Sequence, residues 1–537
     1  MRKITLLSAI LLLAFSLTSF NSNKKNSLRI ESYASLKIDK KSNNSKVIVM
    51  INNVTIATFF KNYPKYTTYQ SDVNQLYKSR NYKMIWHDNN ELIEFAHLLY
   101  QKVNMLEKEG VKSTVPYKDQ IDLIFNETET NKPSQTDTEL LLTSLYVFYT
   151  NKVYEGIDAK KVQDLGWFLP KKSISYDKLL DSLLVDPKLL DKDKIGLFSQ
   201  YYKLRDVLNK YREIQKANDW NPITMDPTAQ ELKPLDSSKT IGQIRHRLVV
   251  IGDLKEDSKR EVYDQELMDA VLNYKRRYGL ALNYKITPEH IDQMNEPIED
   301  RIRTIMLNME RCRWIPAELE NGKEYVMVNI PSYHLIYVKN GAYELVSDVF
   351  VGSRLNKTVI FSSKMDRIVF SPYWTVPQSI VKNELKSVIA SDKNYLKDHN
   401  MEWYNGTIRQ KPGPNNSLGL VKFLFPNPND IYMHDTPAKS LFLAQDRAFS
   451  HGCINVQKAK DLAVAILKDY PDWPIDRINN AMSGEKETVC MLKTKIPVYI
   501  GYFTAWVNDA GEISFYKDVY DRDSRLSTLL FPDKTIN

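Results

Sequence analysis

From about Tyr69 to Leu235 apolar residues recur at three- and four-residue spacing, most clearly in Glu91–Met105 and Asp137–Tyr154, with Pro and Asp clusters between the runs. That is the period of helices with one buried face, and it predicts a helical scaffold over 66–235. No His/Cys cluster or glycine-rich loop breaks it, so a structural role is expected. In 236–297 the pattern tightens into three short helices. Ile241, Ile244, Leu248 and Ile251 share a face, with Gly252 placed as C-terminal cap. Asp264 caps a second helix carrying Leu267, Val271 and Tyr274, which ends at Gly279, and Thr287-Pro288 opens a third.

After a helix over Ile302–Met309 the period shortens to two. Tyr325–Ile330 alternates. His334–Val338 and Tyr343–Val351 flank Asn340-Gly341, a two-residue hairpin signal. Val498–Val507 and Ile513–Tyr516 flank a turn at Asn508–Gly511. Residues 298–530 therefore read as a mainly-β domain, with a Pro/Asn/Gly-rich insertion at about 375–430. Upstream, 21–65 is a polar linker with a short strand-like piece, Val47–Phe60. At the start, Arg2 and Lys3 precede an apolar run from Ile4 to Phe15, extended weakly to Phe20, so 1–20 has the layout of a secretory signal. Retention as an N-terminal anchor stays open. No Cys lies near its end, which argues against a lipid anchor, and no other stretch is long and apolar enough to span a bilayer. Export to the periplasm or cell envelope is expected.

A chain of 537 residues is too long for one ordinary core, which implies two to four domains in a multidomain α+β fold. Its formal charge of +8 permits contact with a cell wall, a membrane or nucleic acid and selects none of them. The three cysteines change the picture more: Cys312, Cys453 and Cys490. In an exported protein an odd count leaves at least one thiol unpaired, which must be hidden or used.

The segment Ile431–Val456, IYMHDTPAKSLFLAQDRAFSHGCINV, holds His434, His451 and Cys453 inside the β-rich region. A cysteine attacks carbonyls as its thiolate, and a nearby imidazole can generate one. Gly452 permits close approach of backbone or substrate. Ala459, Leu462, Ala463, Ile466 and Leu467 follow at helical spacing. This places Cys453 on a strand-to-helix turn, where the helix dipole would depress its pKa and aim N–H groups at an oxyanion. Cys312 and Cys490 are expected to be small buried hydrophobes. Zinc is the competing use of these residues. Asp435 and Asp446 could add ligands, but no Cys-x-x-Cys or His-x-x-x-His spacing accompanies them.

Ser450-His451-Gly452-Cys453-Ile454-Asn455, with fifteen residues between His434 and Ser450, resembles the signature of the L,D-transpeptidase family. Ser371–Pro377, Arg409–Asn416, Phe425-Pro426-Asn427 and His434-Asp435-Thr436-Pro437 resemble its large branch. There a helical scaffold and a peptidoglycan-binding module precede the catalytic β-domain and its capping-loop insertion. The resemblance implies Cys453 as nucleophile and His434 as general base, oriented by the backbone carbonyl of Asp435. It implies an oxyanion hole at the N–H groups of Gly452 and Cys453, with His451 supporting the pocket and Asn455 bracing the turn that Ser450 opens. Tyr373 and Trp374 would line the donor site, with core packing the competing reading. Arg447 would meet a stem-peptide carboxylate, with a solvated surface position as its alternative.

Two departures stand out. The 236–297 module lacks the family's usual glycine-aspartate-glycine turns, which leaves its glycan binding open, and Thr358-Val359 replaces a common Thr-Pro. The implied reaction is ping-pong acyl transfer. Cys453 takes the third residue of a tetrapeptide stem, releases D-Ala, and passes the acyl group to an amine to give a 3-3 cross-link. Carbapenem acylation and a poor response to most penicillins are implied too. No cofactor, metal or nucleic-acid partner is implied; the partners are stem peptides, with glycan strands through 236–297 and a membrane through an uncleaved N-terminus. A carboxypeptidase, a cysteine peptidase and a wall-binding scaffold with an inactive domain remain as alternatives. Most cysteine peptidases place Cys before His in the chain, the reverse of the order here.

Overall fold

The computed structural model describes residues 51–532 apart from 90, 127, 192–195, 228, 317, 318, 320 and 321. The signal-like segment and the polar linker to residue 46 lie outside these. The strand expected at Val47–Phe60 is not one. Its described part contains helix α1, Asn53–Asn62, because the Asn52 side chain accepts from the N–H groups of Val54 and Thr55 while Thr55 returns a bond to the Asn52 N–H. This reciprocal cap outweighs the β preference of the Val and Ile residues.

The helical region is built around α2, Gln135–Thr150, which is buried on every side from Thr138 onward. Its one buried carboxyl group, Glu139, is held by the Trp86 N–H, the Tyr77 hydroxyl and His87 Nδ1 at 2.9 Å, so a fully buried polar group is satisfied. Helix α3, Ser199–Lys216, follows. The three-helix module comprises α4 (Lys239–Ile251), α5 (Gln265–Arg277) and α6 (Pro288–Met294). Gly252 closes α4 at φ +92° and the Asp264 side chain caps α5, where the apolar spacing placed them. Helix α7, Ile298–Trp314, packs on α3 and leads into the β region. Among the described residues no helix is long and apolar enough to cross a membrane.

The main sheet draws on β1 (Trp167–Phe168), β2 (Glu324–Asn329), β3 (His334–Lys339), β4 (Ala342–Gly352) and β5 (Ile360–Phe370). Strands β6 (Trp374–Thr375), β7 (Met401–Tyr404) and β8 (Thr407–Gln410) form a separate small sheet. The main sheet resumes with β9 (Val421–Leu424), β10 (Met433–His434), β11 (Ala448–Ser450), β12 (Ile454–Val456) and β13 (Thr488–Gly501). Its order is β9-β10-β12-β4-β3-β2-β13-β5-β1, with β11 beside β4. Because β5 also pairs with β9, the sheet closes on itself and leaves few open edges. The expected strand Val498–Val507 is two pieces. β13 ends at Gly501, and Ala505–Val507 (β14) forms its own hairpin with Ile513–Phe515 (β15).

The insertion is shorter than expected. The small sheet and its helices run from Trp374 to Gln410 around Val376, Ile380 and Ile408, and β9 already belongs to the main sheet.

Candidate active site

Strands β10 and β12 run side by side in parallel, with Met433 opposite Ile454 and His434 opposite Asn455. Continuing the register by one residue sets Tyr432 against Cys453. Met433, Ile454 and Val456 point into the core and are wholly buried. Alternation then puts Tyr432, His434, Cys453 and Asn455 on the opposite face of the sheet. His434 and Cys453 are diagonal neighbours there, one residue pair apart.

His434 Nδ1 lies 2.5 Å from the backbone carbonyl of Asp435, so this nitrogen carries the proton and Nε2 is left to receive one. The ring is 6% exposed. Burial, with a smaller push from the Lys422 ammonium, lowers its pKa to about 4 against stabilisation by Asp435. The Asp435 carboxylate is fixed by the Leu420 N–H at 3.0 Å and by Lys439 Nζ at 2.5 Å. Gly419 is required beneath it, since a Cβ there would overlap the Asp435 carboxylate.

Cys453 keeps partial solvent access, but its sulfur is packed closely enough that burial raises the thiol pKa to about 11, against a downward pull from hydrogen bonds to Tyr432. The expectation of a helix dipole at the sulfur fails. Strand β12 intervenes, and the helix with Ala459, Leu462 and Ile466, α8 (Ala459–Leu467), begins six residues later. A dipole fades within about one turn, so the thiol is not depressed and the resting pair is thiol and neutral imidazole.

The turn before Cys453 is held by its own side chains. Ser450 Oγ accepts the Gly452 N–H at 3.1 Å and donates to the Cys453 carbonyl at 2.5 Å. Gly452 has φ +114°, where a side chain would be strained. The Cys453 N–H makes no hydrogen bond among the described residues. Of the two expected oxyanion donors, Gly452 is thus engaged with Ser450 and Cys453 is available.

A family model for the L,D-transpeptidase catalytic domain matches residues 323–498, the stretch that holds Cys453, His434, Ser450 and Gly452. The chain carries an L,D-transpeptidase catalytic domain. A second model, a scaffold domain, matches residues 71–218. A Haemophilus influenzae protein provisionally named an L,D-transpeptidase is 32% identical over 244 residues, 42% of this chain and 48% of that one. The match thus spans about half of that relative's length. Among solved structures, an L,D-transpeptidase of Stackebrandtia nassauensis is 12% identical over 52% of this chain and 95% of its own, with a TM-score of 0.24. L,D-transpeptidase 3 of Mycobacterium tuberculosis, solved with a faropenem-derived adduct, is 12% identical over 33% and 60%, with a TM-score of 0.19.

Within this L,D-transpeptidase domain the other expected residues take varied places. His451 is half exposed, and its Nε2 lies 2.9 Å from Glu384 Oε1 of the insertion. Asn455 is buried on the sheet face that carries Cys453. Trp374 packs in the insertion's own core, and the Tyr373 ring lies 4.2 Å from the Arg409 guanidinium. Arg447 is buried rather than solvated, with Nη1 3.0 Å from Asp348 Oδ1, its guanidinium over Tyr333 and its Nε without a hydrogen-bond partner among the described residues. Cys312 and Cys490 are buried free thiols. Among the described residues no group of three His, Cys, Asp or Glu side chains could hold a metal ion. Two neighbours of the site were missed. Tyr432, two positions before His434, was within reach of period-two reasoning. Lys422 sits opposite His434 only through the β9–β10 register, which no local pattern reveals.

Proposed function

We propose that this protein is a peptidoglycan L,D-transpeptidase. Cys453 attacks the carbonyl of the third residue of a tetrapeptide stem, terminal D-Ala leaves, and the thioester is passed to an amine on a neighbouring stem to give a 3-3 cross-link. The observation that carries this reading is the common sheet face of Cys453 and His434, with His434 Nδ1 tied to Asp435.

The resting state shapes the chemistry. With the imidazole pKa at about 4 and the thiol at about 11, the free enzyme holds almost no thiolate–imidazolium pair at neutral pH. The proton therefore leaves sulfur for His434 Nε2 as the sulfur–carbon bond forms, when substrate has displaced water and charge develops on the carbonyl oxygen. The Asp435 carbonyl stabilises the imidazolium, and the Cys453 N–H receives the oxyanion. His434 then protonates the departing D-Ala amine. In the second half it deprotonates the incoming amine, which attacks the thioester and restores the thiol. The same thioester meeting water would make the protein an L,D-carboxypeptidase.

Muropeptide analysis of sacculi treated with wild-type and Cys453→Ala protein tests this. Dimers joined 3-3 should accumulate only with wild type. Shortened stems without dimers would move the assignment to the carboxypeptidase, and equal products from both proteins would refute the role of Cys453.

A further inference from the structure

The peptide unit between Gly452 and Cys453 is planar, so its carbonyl oxygen and its N–H point in opposite, rigidly linked directions. The N–H end is the oxyanion donor of the reading above, on which this inference rests. The oxygen end is gripped from an unexpected place. Thr358, fully buried, donates its Oγ1 hydrogen to the Gly452 carbonyl at 2.8 Å and accepts the Gly352 N–H at 2.9 Å. Tyr520, 2% exposed and far away in sequence, accepts the Thr358 N–H at 3.2 Å and donates to the Gly352 carbonyl at 2.7 Å. The Tyr520 N–H is in turn donated to the Tyr502 hydroxyl at 2.8 Å. Neither Thr358 nor Tyr520 bonds to the sulfur or to His434. A Cβ on Gly352 would lie 3.0 Å from Gly452 Cα and closer still to Asn356 O and Thr358 N, so the two backbones touch and side chains other than hydrogen are excluded.

We propose that Thr358, locked by Tyr520, is a positioning residue that aims the Cys453 N–H at the oxyanion by holding the far end of its peptide plane. The hydrogen bond on the carbonyl also polarises the same peptide and strengthens its N–H as a donor. The effect is specific to reactions that pass through an oxyanion. Acylation by a carbapenem does: the sulfur bonds to the lactam carbonyl carbon, the ring C–N bond breaks, and the thiol proton ends on the lactam nitrogen. Alkylation by iodoacetamide does not, because iodide is displaced from a CH2 and no oxygen gains charge.

The test compares the two reactions by intact mass on full-length protein, with Cys453→Ala as the blank. Thr358→Val keeps the shape and removes both side-chain bonds. It should slow carbapenem acylation ten-fold or more while iodoacetamide alkylation, and its pH midpoint, change less than two-fold. Thr358→Ser keeps the hydroxyl and should restore acylation. Tyr520→Phe should show a smaller selective loss, and it stands in if Thr358→Val does not fold. Equal acylation by Thr358→Val and wild type overturns the proposal. A parallel fall in both reactions does so too, as does a failure of Thr358→Ser to rescue. Wild-type protein that alkylates at Cys453 but never acylates would instead count against the transpeptidase reading itself.

Discussion

At the residue scale the proposed catalytic pair, His434 and Cys453, is tuned by burial rather than by charge. The His434 pKa of about 4 compares with 6.5 for an ordinary histidine. An unfolded chain takes up this proton below pH 6.5, and the fold resists it until about 4. The contribution to stability is therefore complete above pH 6.5 and is lost as pH falls through that window. It amounts to roughly 3 kcal/mol by pH 4. Thermal unfolding of His434→Gln should be correspondingly less sensitive between pH 6.5 and 4 than wild type; parallel curves would contradict the buried neutral ring. The Cys453 thiol, at about 11, should alkylate slowly at pH 7 and half-maximally near pH 11; a midpoint below 8 would mean a stabilised thiolate. Gly452→Ala should cost about 1–3 kcal/mol of backbone strain at φ +114°, seen as a lower Tm.

At the element scale, legibility followed the length of the pattern. The hairpin at Asn340-Gly341, the module's three helices and the Ser450–Asn455 run all stand out, because each is set by local chemistry. Strand β12 does not, since three residues before a strong helical period read as part of the turn. Read as turn, those residues would bring the helix dipole onto Cys453; as strand, they keep it away. The strand-like Val47–Phe60 failed for the opposite reason: one Asn side chain decided the backbone against a β-rich composition. The insertion was expected as a loop and has a core of its own. Ile408→Ala should weaken it locally by about 2–4 kcal/mol. Limited proteolysis should then cut within 374–410 while the main thermal transition moves little; a large fall in that transition would show the insertion to be integral to the barrel.

At the scale of the whole molecule, long-range bonds join the parts, and these were invisible in the sequence. Residues Trp167 and Phe168 of the helical region add a parallel strand to β5. Asn308 of α7 exchanges two bonds with Thr504, and Arg311 pairs with Asp523 at 2.6 Å. In the module Arg277 pairs with a buried Asp253 and reaches the Ile513 carbonyl of β15. Removing one partner strands a buried charge, so Asp253→Ala should cost about 3–5 kcal/mol. A change under 1 kcal/mol in denaturant unfolding would show that the module does not depend on this pair. These contacts make the helical parts a support for the barrel, so Cys453 chemistry is expected to suffer when they are cut away.

The most direct measurement is the mass of the protein during turnover of a tetrapeptide stem. Quenched within its first turnover, wild type should carry one tripeptide acyl group on the peptide containing Cys453, with free D-Ala released in equal amount, and Cys453→Ala should carry none. Release of D-Ala by Cys453→Ala, or an acyl group on any other residue, would contradict the account.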